Sequence, residues 1–152
     1  MMLGRDDVLD LFTFLADELV GTHGEWPPTA TPSTAYIADR FQVAVEMADG
    51  GGAKAEAAAL FCALSADRRR MGKAWVELPI RAALMQVHLN GLRLDGDDVA
   101  MKSLTRLKAG VADGASWEGV RDWFDRYAIP MWAEDVMPHP NPHGYTQDPE
   151  DP

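Results

Sequence analysis

Residues 54–64, KAEAAALFCAL, decide the fold. Alanine and leucine lead the helix-propensity scale, and no glycine or proline interrupts the run, so it is the strongest helix in the chain. After Glu56 the run holds no charge. A helix that is apolar nearly all round is expected to be buried on most sides, with other elements wrapped about it.

The neighbouring segments read as those elements. Upstream, Ser33 or Thr34 caps a helix whose Ile37, Phe41, Ala44, Val45 and Ala48 share a face, and the glycines at 50, 51 and 52 stop it. Before it lies GTHGEWPPTATPS, a loop rich in turn residues. A first helix, capped by Asp6 or Asp7, repeats Leu11, Phe12, Leu15 and Leu19 and ends near Gly21. Downstream, a fourth helix is expected to begin around Leu78 to Ile80 with Pro79 in its first turn. Ile80, Ala83, Leu84 and Val87 face inward, and Asn90-Gly91 ends it. Asp97 opens a fifth helix, with Met101, Leu104 and Leu107 inward and Gly110 closing it. Ser116 opens a sixth, with Val120, Trp123, Phe124 and Tyr127 at helical spacing.

The expectation is an all-α, compact bundle of about six helices over residues 1–128, with no strand. Residues 129–152 differ in kind. Six of the ten prolines lie there, at 130, 138, 140, 142, 149 and 152. That composition predicts an extended or disordered, Pro-rich acidic tail. No internal repeat is visible.

A chain of 152 residues can bury a core without staples. Its single cysteine, Cys62, excludes an internal disulfide, and MMLGRDDVLD lacks the plan of a signal peptide. No apolar run is long enough to span a bilayer, so a cytoplasmic location is expected. The net charge is −10. Five acids (Glu134, Asp135, Asp148, Glu150, Asp151) and no Lys or Arg follow Ala128, which leaves −5 on the rest. Direct nucleic-acid binding needs clustered cations. The only dense basic cluster here is Arg68, Arg69 and Arg70.

That cluster begins the stretch DRRRMGKAWVELPI, residues 67–80. Gly72-Lys73 invites a phosphate-loop reading, but a Walker loop needs glycine at 67 and Ser or Thr at 74. Asp67 and Ala74 stand there instead. Cys62 with His88 as its base is the nucleophile candidate, yet a mid-helix cysteine among Ala, Leu and Phe reads as a small core hydrophobe. His139 and His143 are spaced like metal ligands, but prolines between and around them break the helix that would align them. Asp6/Asp7 and Asp97/Asp98 sit at helix starts, where capping and the dipole explain them. Trp117, Trp123, Phe124 and Tyr127 read as core, with exposure of one or two at a partner surface as the alternative.

In their order and spacing, ELVGTHG, AALFCAL, RAALMQVHLNGLRL and GASWEGVRDWF resemble the Doc branch of the Fic/Doc family, from about Val8 to Tyr127. That family is all-α and includes toxins of toxin–antitoxin pairs. The resemblance implies that the loop before the LNG helix once carried chemistry. In the family a histidine serves as base, an acidic residue holds Mg²⁺, and a terminal arginine grips phosphates. Counting back from Asn90 puts Arg69 at the histidine position, Met71 at the Phe, Lys73 at the acidic position, Trp75 at the Asn and Glu77 at the final Arg. Arginine stays protonated and cannot act as a base, Lys73 repels Mg²⁺, and Glu77 opposes a phosphate at the helix start. No histidine lies between His23 and His88.

Three functional expectations follow. The first is a non-catalytic, degenerate Fic/Doc-like protein that binds another protein, an antitoxin-like segment or a target, and needs no cofactor. The second is a divergent nucleotide-dependent transferase that uses ATP and Mg²⁺ and clamps phosphate with Arg68, Arg69, Arg70 and Lys73. The third is an unrelated acidic helical adaptor or nucleic-acid mimic.

Overall fold

The computed structural model of the chain describes residues 1–23 and 32–134, with side chains of 17–23, 97 and 98 excepted. Most of the Pro-rich tail, with His139 and His143, lies outside the described residues. The fold is all-α. Its helices are α1 (Arg5–His23), α2 (Thr34–Ala48), α3 (Ala53–Ser65), α4 (Arg68–Met71), α5 (Ala74–Leu89), α6 (Asp97–Ala112) and α7 (Trp117–Tyr127). Strands β1 (Leu92–Leu94) and β2 (Ala128–Pro130) form a small antiparallel pair.

Helix α3 is the hub. Ala55 and every residue from 57 to 65 are buried, and α2, α5, α6 and α7 all pack on it. Its two sides serve two apolar clusters. Ala59, Leu60, Ala63 and Leu64 join Val8, Leu15, Ile37 and Leu78. Ala57, Ala58, Phe61 and Cys62 join Ile80, Val87, Leu104, Val120 and Phe124. The alanines let neighbouring helices come close, and Phe61 meets Phe124 edge-on at 5.9 Å.

Several local expectations need correction. Neither Asp6 nor Asp7 caps α1. Gly4 precedes it, and its N–H donates to Asp7 Oδ2 at 3.0 Å, a reach back from the third helical position. The helix runs past Gly21 to His23. Ser33 does cap α2, accepting from the Tyr36 N–H, but Asp49 in the left-handed region ends that helix before the glycines. Asp97 does open α6, with Gly96 in the capping position before it, but the helix continues past Gly110 to Ala112. Met101 is 38% exposed and does not face inward, whereas Leu104 does.

The larger corrections concern the sheet and the start of α5. Leu92, Arg93 and Leu94 pair with Pro130, Ile129 and Ala128. Ile129 and Pro130, assigned from sequence to the tail, thus belong to the folded unit. The Met131 N–H extends the pairing to the Gly91 carbonyl at 2.9 Å. Two three-residue strands are too short to show an alternating pattern, and Pro130 at the end of its strand costs the ladder nothing. Helix α5 begins at Ala74, not near Leu78, so Pro79 sits inside the helix. Lacking an N–H, Pro79 cannot bond the Trp75 carbonyl one turn earlier.

Among the described residues no helix is long and apolar enough to cross a membrane.

Candidate functional site

The stretch singled out by sequence folds as a four-residue helix and a sharp turn into α5. Asp67 caps α4, accepting from the Arg70 N–H at 3.0 Å. Gly72 then takes φ 56° and ψ −135°, a conformation glycine alone adopts cheaply. Its role is to turn α4 into α5. Met71, between the two helices, is fully buried.

The side chains of the stretch are largely engaged with the fold. Trp75 is buried, and its indole N–H donates to the Ser65 carbonyl at 3.0 Å. The Arg68 guanidinium lies 4.6 Å from the Trp75 ring centroid and the Lys108 ammonium 4.2 Å from it. Arg70 stacks on Tyr36 at 4.2 Å. Such cation–π contacts contribute about 0.5–2 kcal/mol each, the upper end where water is excluded. Glu77 pairs with Arg81 one turn on, at 3.0 Å. Arg69 is exposed and Lys73 half-exposed; among the described residues neither side chain has a hydrogen-bond or ion-pair partner.

Lys108 is the residue sequence reading missed. It is 4% exposed, and its ammonium donates to the Val76 carbonyl at 2.9 Å. Burial lowers its pKa, the Glu77 carboxylate pulls the other way, and Arg68 adds to the fall. A signal existed: Ala100, Leu104 and Val111 are buried on the same side of α6, which makes 108 a core position. A lysine there needs a partner, and the Trp75 face and the Val76 carbonyl supply it.

This geometry constrains what the stretch can do. A phosphate seated at the start of α5 would need its first backbone N–H groups. Those of Trp75 and Val76 already bond the carbonyls of Gly72 and Lys73, both at 3.2 Å. Two of the four cations are stacked on rings, and Glu77 places an acidic residue in the first turn of α5, where it pairs with Arg81. The arrangement is a packed corner between α3, α5 and α6.

The other candidates resolve differently. Cys62 is buried on α3, and burial, with a smaller contribution from Glu118, pushes its thiol up to about 12. His88 is exposed near the end of α5. A thiol with that pKa holds its proton at neutral pH and is no nucleophile. Native protein should therefore resist a disulfide reagent such as DTNB at pH 7.5 and release one equivalent only in denaturant. The linkage has a definite sign. The unfolded thiol loses its proton near pH 9 and the folded one near 12, so its stabilising contribution is intact below 9 and declines between them. Cys62→Ala should remove that part of the alkaline decline.

Trp123, Trp117 and Tyr127 are half-buried, and Phe124 is buried. Among the described residues no three His, Cys, Asp or Glu side chains are grouped to hold a metal ion. No family model matches the chain, and no curated protein matches it.

Proposed function

We propose that this chain is a non-catalytic binding protein of Fic/Doc-like descent that acts by contact with another protein, an antitoxin-like segment or a target. The observation that carries the reading is an exposed tryptophan held on an ordered segment. Trp132 is 86% exposed, and the adjacent Met131 is 47% exposed. Both follow β2. The Met131 N–H bonds the Gly91 carbonyl, and the Arg93 guanidinium donates to the carbonyls of Met131, at 3.3 Å, and Ala133. This clamp brings the pair to the C-terminal end of α5, where Leu89 is also exposed. Tryptophan is the residue most enriched among interface anchors, and an anchor already fixed in place loses little entropy on binding.

The stacked, capped state of the 67–77 corner supports the non-catalytic half of the reading. The divergent transferase remains the second reading because the Arg69 and Lys73 side chains have no partner among the described residues.

One pair of measurements separates them. Tagged protein that recovers a partner from its source extract should keep it in the Arg69→Glu/Lys73→Glu variant and lose it in Trp132→Arg, at an unchanged melting temperature. Millimolar ATP·Mg²⁺ should leave the melting temperature where it was. Nucleotide at a hundredfold its Kd would stabilise by about 2.7 kcal/mol. For this chain length that is a rise of about 5–10 °C. Such a rise, lost in the charge-reversed variant, sinks the binding reading and supports the transferase.

A further inference from the structure

Away from the corner and from Trp132, a cleft of about 360 Å³ runs between α6 and α7. The two helices share few contacts because both lean on α3 instead. One wall is apolar, with Leu107, Val120 and the Trp123 ring; Trp123 Nε1–H donates to Ser103 Oγ at 3.1 Å, which fixes the ring. The polar end combines Arg106 with the start of α7.

Three observations concern that end. Arg106 lines the cleft, is exposed and has no ion-pair partner among the described residues. Among the described residues no carboxylate lines the cleft, although the chain carries a net −10. Ser116, the residue before α7, also lines it, and its side chain makes no capping hydrogen bond, so the helix's first amides are uncapped. The first-turn acid Glu118 does not line the cleft; its charge is felt at Cys62, on the α3 side.

The glycines of the cleft point the same way. Gly119 is helical with an ordinary φ, and an added Cβ there would meet nothing within 4 Å. At Gly110 it would meet only the Ala115 Cβ, at 3.7 Å. Glycine inside a helix is less favourable than alanine. Nothing within the described fold requires either residue, and both face the cleft.

We infer that the α6–α7 cleft binds a small organic acid, its apolar or aromatic body against Leu107, Val120 and Trp123 and its carboxylate between Arg106 and the start of α7. The size suits this occupant, since small-molecule sites begin at about 300 Å³ and a protein partner needs far more surface, roughly 800 Å² per side.

The test is an amide-resolved NMR titration with phenylacetate and indole-3-acetate, each beside its neutral alcohol, 2-phenylethanol and tryptophol. The acids should shift the amides of 106–110 and 116–120 and bind at least about tenfold more tightly than the alcohols, the value of one charge-assisted contact. Arg106→Gln should erase that difference. Gly119→Leu should abolish binding of acids and alcohols alike without lowering the melting temperature, which separates a filled cleft from a damaged fold. Equal affinity of acid and alcohol overturns the inference. So do shifts centred elsewhere, no response to either acid, or binding that survives Gly119→Leu.

Discussion

Replacing Trp75 with alanine should destabilise the protein by about 3–5 kcal/mol, the range for truncating a buried large aromatic. At about 2–4 °C per kcal/mol for this chain length, the melting temperature should fall by roughly 6–20 °C. Three losses combine. The indole leaves a cavity among Met71, Ala74 and Leu78, members of its own cluster. The Ser65 carbonyl loses its donor. Lys108, buried over the ring face, keeps its hydrogen bond to Val76 but loses the surface that helped it leave water. Two companions apportion the effect. Trp75→Phe keeps one aromatic ring but removes the N–H and part of the buried indole volume, so it should cost roughly 2–3 kcal/mol, less than truncation to alanine. Lys108→Met replaces a buried cation with an apolar chain of similar length and should be near neutral. Combining it with Trp75→Ala should cost less than the sum of the two, a coupling read from urea denaturation at constant slope. If Trp75→Ala cost no more than truncating the exposed Val76, the corner would not be packed as described.

The parts of the fold legible in sequence are those whose reasons are local. Helix α3 declares itself through alanine content and absence of charge. Helix α7 does so through Val120 and Phe124 four apart with charges between. Ser33 and the Asn90-Gly91 pair mark ends by chemistry that needs no distant partner. The start of α5 misleads because Pro79 reads as a first-turn residue, while the turn that starts the helix is made by Gly72 seven residues earlier. The strand pair joins residues nearly forty apart in the chain, and nothing within either tripeptide signals the other.

The candidate corner shows the same division. Position along the chain finds Arg68 to Glu77, but what these residues do depends on Tyr36, Ser65 and Lys108, which come from three other helices. From sequence, four cations near a Gly-Lys pair suggest an anion clamp. In the structure two of them lie on aromatic rings, and the backbone amides they would assist are already used. Lysine at a core position of α6 was the one visible clue.

Gln86 is the counterpart of Lys108 on α5, a polar residue on the face that carries Ala82, Ala83 and Val87 into the core. It is fully buried, and its amide is used at both ends. The oxygen accepts from the Leu3 N–H at 2.6 Å, and the nitrogen donates to the Met1 carbonyl at 3.0 Å and to Glu56 Oε1 at 3.2 Å. One side chain thereby fixes residues 1–3 and the first turn of α3 against α5, and holds Leu3 in the core. Gln86→Ala should cost about 3–5 kcal/mol, since each buried group left unpaired costs about 1–3 kcal/mol and a cavity adds to it. Gln86→Glu is the sharper test because its cost should depend on pH. A carboxylate placed there is desolvated and faces the Glu56 carboxylate, so its folded pKa must rise above the usual ~4.3. The folded state then holds its proton where the unfolded state has lost it, and stability falls as pH rises through that window. Near pH 4 the protonated carboxyl can still donate to Glu56, and the variant should approach wild type. By pH 7 it should lose several kcal/mol, and Glu56→Gln in the same background should restore part of that loss. An equal cost at both pH values would mean that the substituted carboxylate reaches water and that the first residues are not held as described.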